Sequence, residues 1–252
     1  MVTWWHAVVI SAAGMWAGMI NTVVGSGTLV TFPVLITLGY PPVTATTSNA
    51  IGLIPGSISG SIGYREELKG QGGRVVRLAA GSIVGGVCGA ILLLELPPGA
   101  FEAVVPWLIG LALILVIVQP KVSAWVLRRS SGADRYGGPV LFVLVLLIGV
   151  YGGYFTAAQG VMLIAVFGMF LNESLQRLNG MKNVLTAIVN TVAGIIYSFQ
   201  APVSWPVIGL LAVSSTVGGV VGAKVGRKLP PRVLRAVIAL VGLAAIVKLV
   251  LD

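Results

Sequence analysis

Two features of this sequence could do chemistry on an anion. One is Lys182, set several residues inside an apolar run that begins near Leu178 and ends near Phe199. A lysine at membrane depth costs roughly 2.5–3.5 kcal/mol on insertion scales, which makes it a functional candidate. The competing reading starts the helix at Met181 and lets Lys182 snorkel to the interface. The other feature is Gly25-Ser26-Gly27-Thr28, a break inside an apolar, charge-free stretch ending at Tyr40. A helix starting at Thr28 would present free N–H groups and a positive dipole end there, both attractive to anions. A second break, Ala158-Gln159-Gly160, lies in the other half of the chain. Asn21 flanks the first break, and Asn49, Asn183 and Asn190 lie on helices with apolar neighbours. Such side chains either line a hydrated site or bond between helices for about 0.6 kcal/mol each.

Other chemistries are poorly represented. All seven acidic residues, from Glu66 to Asp252, fall in loops or at span ends, so no paired carboxylates suit acid–base work in the membrane. His6 is the lone histidine and Cys88 the lone cysteine, which excludes a histidine-based metal site, a thiolate cluster and an internal disulfide. Cys88 reads as a small buried thiol. No G-x-x-x-x-G-K-[ST] loop is present. No cofactor and no enzyme activity are expected.

The surrounding elements must be membrane helices. The 252 residues are 57% hydrophobic and 9% charged, with a mean hydropathy of +1.00. Apolar runs of about 18–25 residues fit spanning helices better than alternating barrel strands. The net charge of +9 comes from sixteen Lys and Arg gathered in connecting loops, which reads as topology-setting charge rather than nucleic-acid binding. No Lys or Arg precedes the first run, so a cleaved signal peptide is not expected; Trp4 and Trp5 read as interfacial anchors.

The runs fall at 7–24, 28–38, 43–64, 75–94 and 100–119, then at 139–157, 161–171, 178–199, 204–223 and 231–250. Each half thus reads as long, break, short, then three spans. The match of Val84–Ala90 and Leu96-Pro97-Pro98 to Val217–Ala223 and Leu229-Pro230-Pro231, at a constant spacing of 133, marks a duplication. Near spacings of 134 to 135, Gly14 and Gly18 pair with Gly149 and Gly153, Asn49 with Asn183, and Gly60 with Gly194. The expected division is a first repeat at 1–120, a cytoplasmic linker at 121–138 and a second repeat at 139–252.

Loop charge orients the halves. Arg65, Lys69, Arg74 and Arg77 mark one loop, whose counterpart at 198–204 is uncharged. The loop at 95–99 lacks Lys and Arg, while its counterpart holds Lys224, Arg227, Lys228, Arg232 and Arg235. Opposite bias predicts inverted repeats. Three full spans per repeat then require each helix-break-short-helix unit to turn back as a hairpin. An 11-residue arm rises only ~16 Å against a ~30 Å core. Both termini are then expected outside the cytoplasm. Rows of glycine four apart, such as Gly81, Gly85 and Gly89, suit helix packing within the chain, or a homodimer face.

The chain resembles the TauE/SafE family of sulfite and organosulfonate exporters. Asn21–Thr28 with Phe32-Pro33, Leu38–Pro42, Thr47-Ser48-Asn49 and Pro55–Ser57 through Gly63–Arg65 carry the likeness in the first half. Gly152–Phe155, Gln159-Gly160, Gln176–Asn179, Lys182-Asn183 and Asn190 carry it in the second. The resemblance implies transport of small anions such as sulfite or sulfonates. The reading is a secondary transporter in the cytoplasmic membrane, expected to export, working by alternating access. Its substrate site is expected to use Asn21, Gly25, Ser26, Gly27, Thr28, Asn49, Gln159, Gly160, Lys182, Asn183 and Asn190. An anion channel and a non-transporting membrane scaffold remain the alternatives.

Overall fold

The computed structural model describes residues 3–128 and 137–226. The expected span at 231–250 and the second Leu-Pro-Pro turn lie outside the described residues. The helices are α1 (Trp4–Val23), α2 (Thr28–Thr37), α3 (Pro42–Gly52), α4 (Ile54–Gly63), α5 (Gly72–Glu95) and α6 (Pro98–Arg128). They continue with α7 (Gly138–Tyr154), α8 (Gln159–Phe170), α9 (Leu175–Gln200) and α10 (Trp205–Val221), which ends in a π-helical turn, Gly222–Gly226. Among the described residues there is no strand, and five helices are long and apolar enough to cross a membrane.

Apolar side chains form both the core and the outer surface. Large apolar side chains point outward, including Trp107 at 80% exposure, Val76 at 71% and Phe199 at 86%. Small and polar side chains are buried at the helix contacts as well, Thr47 and Ser215 fully so. In lipid there is no hydrophobic gain from hiding Leu or Val, so small residues that admit close backbone contact take the helix interfaces. A Cβ on Gly85 would sit 2.2 Å from the Leu146 carbonyl oxygen, and one on Gly89 2.1 Å from that of Val150. Glycine at these positions is therefore what lets α5 lie against α7. The glycine rows on α5 and α10 are used inside the chain.

The same contact is built twice. On α10, a Cβ on Gly218 would lie 2.0 Å from the Met15 carbonyl oxygen, and Gly222 packs on Met19. Gly86 packs on Val189 as Gly219 packs on Gly56. Element boundaries recur in step: Val23 and Tyr154 end the first hairpin arms, and Thr28 and Gln159 start the second arms, each pair 131 apart. Pro42 and Leu175, then Gly72 and Trp205, start later helices 133 apart.

The structure revises several details of the sequence reading. The hairpins match one helical turn away from the Gly14–Gly149 pairing, so Gly18 corresponds to Gly149, and each touches a serine backbone (Ser215 and Ser82). Asn49 corresponds to Lys182 rather than Asn183. A glycine pair four apart matches itself almost as well one turn along, and only the partner across the interface fixes the register. The run at 43–64 is two helices rather than one. Pro55 has no N–H to return to Ile51, and the chain turns at Leu53 (φ −89°, ψ −3°). The counterpart α9 has Ile188 there and runs unbroken. The expected linker boundary at 120 also falls inside α6. Finally, Cys88 is exposed on α5, since Gly85 and Gly89 occupy the inward face.

Candidate functional site

Both breaks turn the chain back on itself. Gly25 takes φ +89°, a left-handed conformation open to glycine at little cost. The chain then returns so closely that a Cβ on Gly27 would lie 2.4 Å from the Ala17 carbonyl oxygen. The second break needs the same kind of turn without glycine: Thr156 (φ +63°) and Ala158 (φ +58°) are both left-handed. Thr156 Oγ1 donates to the Gly152 carbonyl at 3.0 Å, which fixes that corner.

The two tips meet. Gly160 N–H donates to the Gly25 carbonyl at 3.1 Å, and a Cβ on either glycine would come within 2.5 Å of the other's Cα. Phe32 and Phe155 stack edge-to-face beside them at 5.3 Å, with Phe101 of α6 against Phe155. Four helix ends therefore converge: the C-termini of α1 and α7 and the N-termini of α2 and α8.

Lys182 lies over this junction. Helix α9 begins at Leu175, capped by Ser174, whose Oγ accepts from Arg177 N–H at 3.4 Å. Lys182 is thus two turns into the helix and fully buried, which removes the snorkelling alternative. Its stem passes the tips: a Cβ on Gly160 would be 2.9 Å from Lys182 Cδ, and one on Gly25 3.1 Å. Its ammonium donates to the carbonyls of Asn21 at 3.0 Å and Thr22 at 3.1 Å, in the last turn of α1. Those carbonyls lack partners within their own helix and carry its negative dipole end, so a cation suits them. An ammonium has three donors, and this arrangement uses two.

The other candidates divide into bonded and unbonded groups. Asn49 Nδ2 donates to Thr28 Oγ1 at 3.0 Å, and Thr31 Oγ1 donates to Asn49 Oδ1, so this amide ties α3 to the first turn of α2. Asn21 Nδ2 donates to Ser57 Oγ at 3.0 Å, joining α1 to α4. Asn183 Nδ2 donates to the Thr22 carbonyl at 3.3 Å, beside Lys182. By contrast, Ser26 Oγ, Gln159 Oε1 and both amide atoms of Asn190 are buried without a hydrogen bond among the described residues. The N–H groups of Ser26, Gly27 and Thr28 make no backbone bond among the described residues either. Buried polar groups are nearly always paired, so Ser26 Oγ and Gln159 Oε1, left open at the tips, are where a polar guest could be received, while Asn190 lies about two turns beyond Lys182 on α9. Gln159 packs its amide on Gly152, where a Cβ would lie 2.4 Å from Cδ.

The two tips are not equivalent. Among the described residues the N–H groups of Ser26, Gly27 and Thr28 have no backbone acceptor, whereas at the second tip the Gly25 carbonyl accepts from Gly160, the second residue of α8. The protein's own carbonyls thus hold the Gly160 N–H and the Lys182 ammonium.

Several contributors escaped the sequence reading. The Asn21 and Thr22 carbonyls are invisible in a sequence, because any residue has one. Tyr197, whose hydroxyl donates to the Gly153 carbonyl, was signalled by its spacing of 133 from Tyr64, both fully buried. An ion-paired clamp joins the α4–α5 loop to the start of α9. Glu173 pairs with Arg74 at 2.9 Å and Arg177 at 2.7 Å, and Arg177 also donates to the Lys69 carbonyl at 3.2 Å.

Comparison with known proteins agrees with this architecture. The family model for "Sulfite exporter TauE/SafE" matches residues 10–249. The chain is similar to "Probable membrane transporter protein YfcA" of Escherichia coli K12, 23% identical over 245 residues, covering 97% of this chain and 89% of that protein. It is similar to "Probable membrane transporter protein ORF9" of Sinorhizobium sp, 24% identical over 244 residues, covering 94% and 89%. A "Probable membrane transporter protein" of Haemophilus influenzae is 20% identical over 246 residues, covering 97% and 94%. No solved structure matches. With the family pattern running through both hairpins and across nearly its whole length, this multi-pass membrane protein belongs to the sulfite exporter TauE/SafE family.

Proposed function

We propose that this protein is a secondary transporter that exports small sulfur-containing anions, such as sulfite or organosulfonates, across the cytoplasmic membrane. The observation that carries the reading is the fully buried Lys182 ammonium at the contact between the two broken hairpins. Discontinuous helices whose N-termini face an anion are a recurring design for substrate sites in membrane transporters. The anion would replace the carbonyls now held by Lys182 and the α8 N-terminus. It would also meet the open N–H groups at Ser26–Thr28. Asn49, Asn183 and Asn21 hold the helices that frame the site, while Gln159 and Asn190 offer open amide atoms.

The duplicated packing supports alternating access. Each hairpin lies against a helix of the other half, α1 on α10 and α7 on α5. One half can therefore rock on the other along glycine-lined seams, parting the tips toward alternate sides. The opposite charge of corresponding loops supports an inverted arrangement, with both termini outside the cytoplasm.

The test is counterflow in proteoliposomes. Vesicles preloaded with unlabelled sulfite or 2-hydroxyethanesulfonate should accumulate the labelled anion transiently, with saturable rates that Lys182→Met abolishes. Linear, non-saturating flux without counterflow would identify a channel. No anion-dependent flux would leave a scaffold role.

A further inference from the structure

We infer that the site accepts anions carrying one negative charge, taking sulfite as hydrogen sulfite, and excludes doubly charged ones of the same size; this rests on the anion-transport reading above. The basis is a charge count at the tips. Two helix C-termini, from α1 and α7, meet two helix N-termini, from α2 and α8. Their partial charges of about half a unit, negative and positive respectively, cancel. Lys182 then contributes the one full charge. No Asp or Glu is buried among the described residues. Arg74, the other buried cation among them, is held by Glu173 at the start of α9.

The first half has no second cation at the position corresponding to Lys182. Asn49 stands at the position corresponding to Lys182, and its neutral amide is consumed by Thr28 and Thr31. A monoanion therefore forms a neutral pair with the ammonium. A dianion brings one charge into a low-dielectric interior with no counter-charge, and unpaired buried charge is strongly unfavourable. The open groups at Ser26, Gly27 and Thr28 can hydrogen-bond either species but cannot neutralise the second charge.

Methanesulfonate and sulfate make the test, because a methyl group in one replaces a charged oxygen in the other around the same tetrahedral sulfur. In proteoliposomes of the unmodified protein, each competes with labelled 2-hydroxyethanesulfonate at matched ionic strength. Methanesulfonate is expected to halve uptake at a concentration at least roughly tenfold below that of sulfate. Equal competition by sulfate would overturn the single-charge rule while leaving anion transport standing. Absence of any labelled uptake would overturn the transport reading and the rule with it. Thermal unfolding gives an independent readout. Methanesulfonate should raise the unfolding midpoint of the unmodified protein more than that of Lys182→Met. Sulfate should raise both alike, through its general exclusion from protein surfaces. A sulfate shift that depends on Lys182 would overturn the rule.

Discussion

Single residues decide how the tips are held and what they can bind. In Lys182→Met the stem still packs over Gly25 and Gly160, but two ammonium–carbonyl bonds disappear. That loss, about 1–3 kcal/mol per bond, is opposed by removal of the buried charge, which has its own desolvation cost. The fold should therefore survive. What should vanish is stabilisation by methanesulfonate, about 2.7 kcal/mol at 100 times the dissociation constant. Thermal unfolding with and without the anion measures both. Asn190→Leu separates structure from function at one position: it removes two unbonded buried polar atoms. It should raise the unfolding midpoint, by about 1–2 kcal/mol of stability, while lowering flux. Lower stability with unchanged flux would show that Asn190 serves packing alone. At the second tip, Ala158→Gly relieves a left-handed residue at φ +58°. The relief of about 1–2 kcal/mol exceeds the entropic cost of glycine, so a modest gain in thermal stability is expected. Gly25→Ala should do the reverse, since its Cβ would strike Gly160.

Among the elements, the seams between hairpin arms and their partner helices carry the fold. Gly85→Ala and Gly218→Ala each drive a methyl into a facing carbonyl, at 2.2 and 2.0 Å. Both should destabilise by similar amounts, about 1–3 kcal/mol, because both seams have one construction. Gly110→Ala and Gly209→Ala meet open space, and helix propensity alone should make them neutral or slightly stabilising. Unequal losses at the two seams, or losses at the control sites, would contradict this account of the interfaces. The clamp at the start of α9 acts differently. Glu173→Gln leaves Arg74 and Arg177 without their shared carboxylate. Faster hydrogen exchange in the α4–α5 loop is the expected result, with the helix seams unchanged.

At the level of the whole molecule, transport requires the tips to part. Ser26 is 1% exposed, so Ser26→Cys in a Cys88→Ser background should resist a cationic thiol reagent when the tips are closed. Under transport conditions it should react from each side of the membrane in turn. Reaction from one side only would contradict alternating access. The inverted arrangement has its own check: Glu66→Cys and Val203→Cys, in corresponding loops, should label from opposite sides of the membrane.

The sequence by itself determined the class of protein and the place of both breaks. Apolar runs too long and too many for a soluble core leave only membrane helices, and Gly25 and the Ala158-Gln159-Gly160 corner interrupt two of them. It also singled out Lys182, since charge inside such a run is costly enough to stand out. Pro55 was visible too, but proline is common in membrane helices, where neighbours can satisfy the freed carbonyl, so its presence did not dictate a turn at Leu53. Only the tertiary structure decided what Lys182 touches and which residue is its counterpart. Its acceptors are main-chain carbonyls of α1, which every residue possesses and no side-chain pattern can mark. The pairing of Asn49 with Lys182 depends on which glycine row meets which helix. Helical periodicity repeats every turn, so a match along one chain cannot choose between neighbouring registers, and contact across the seam can.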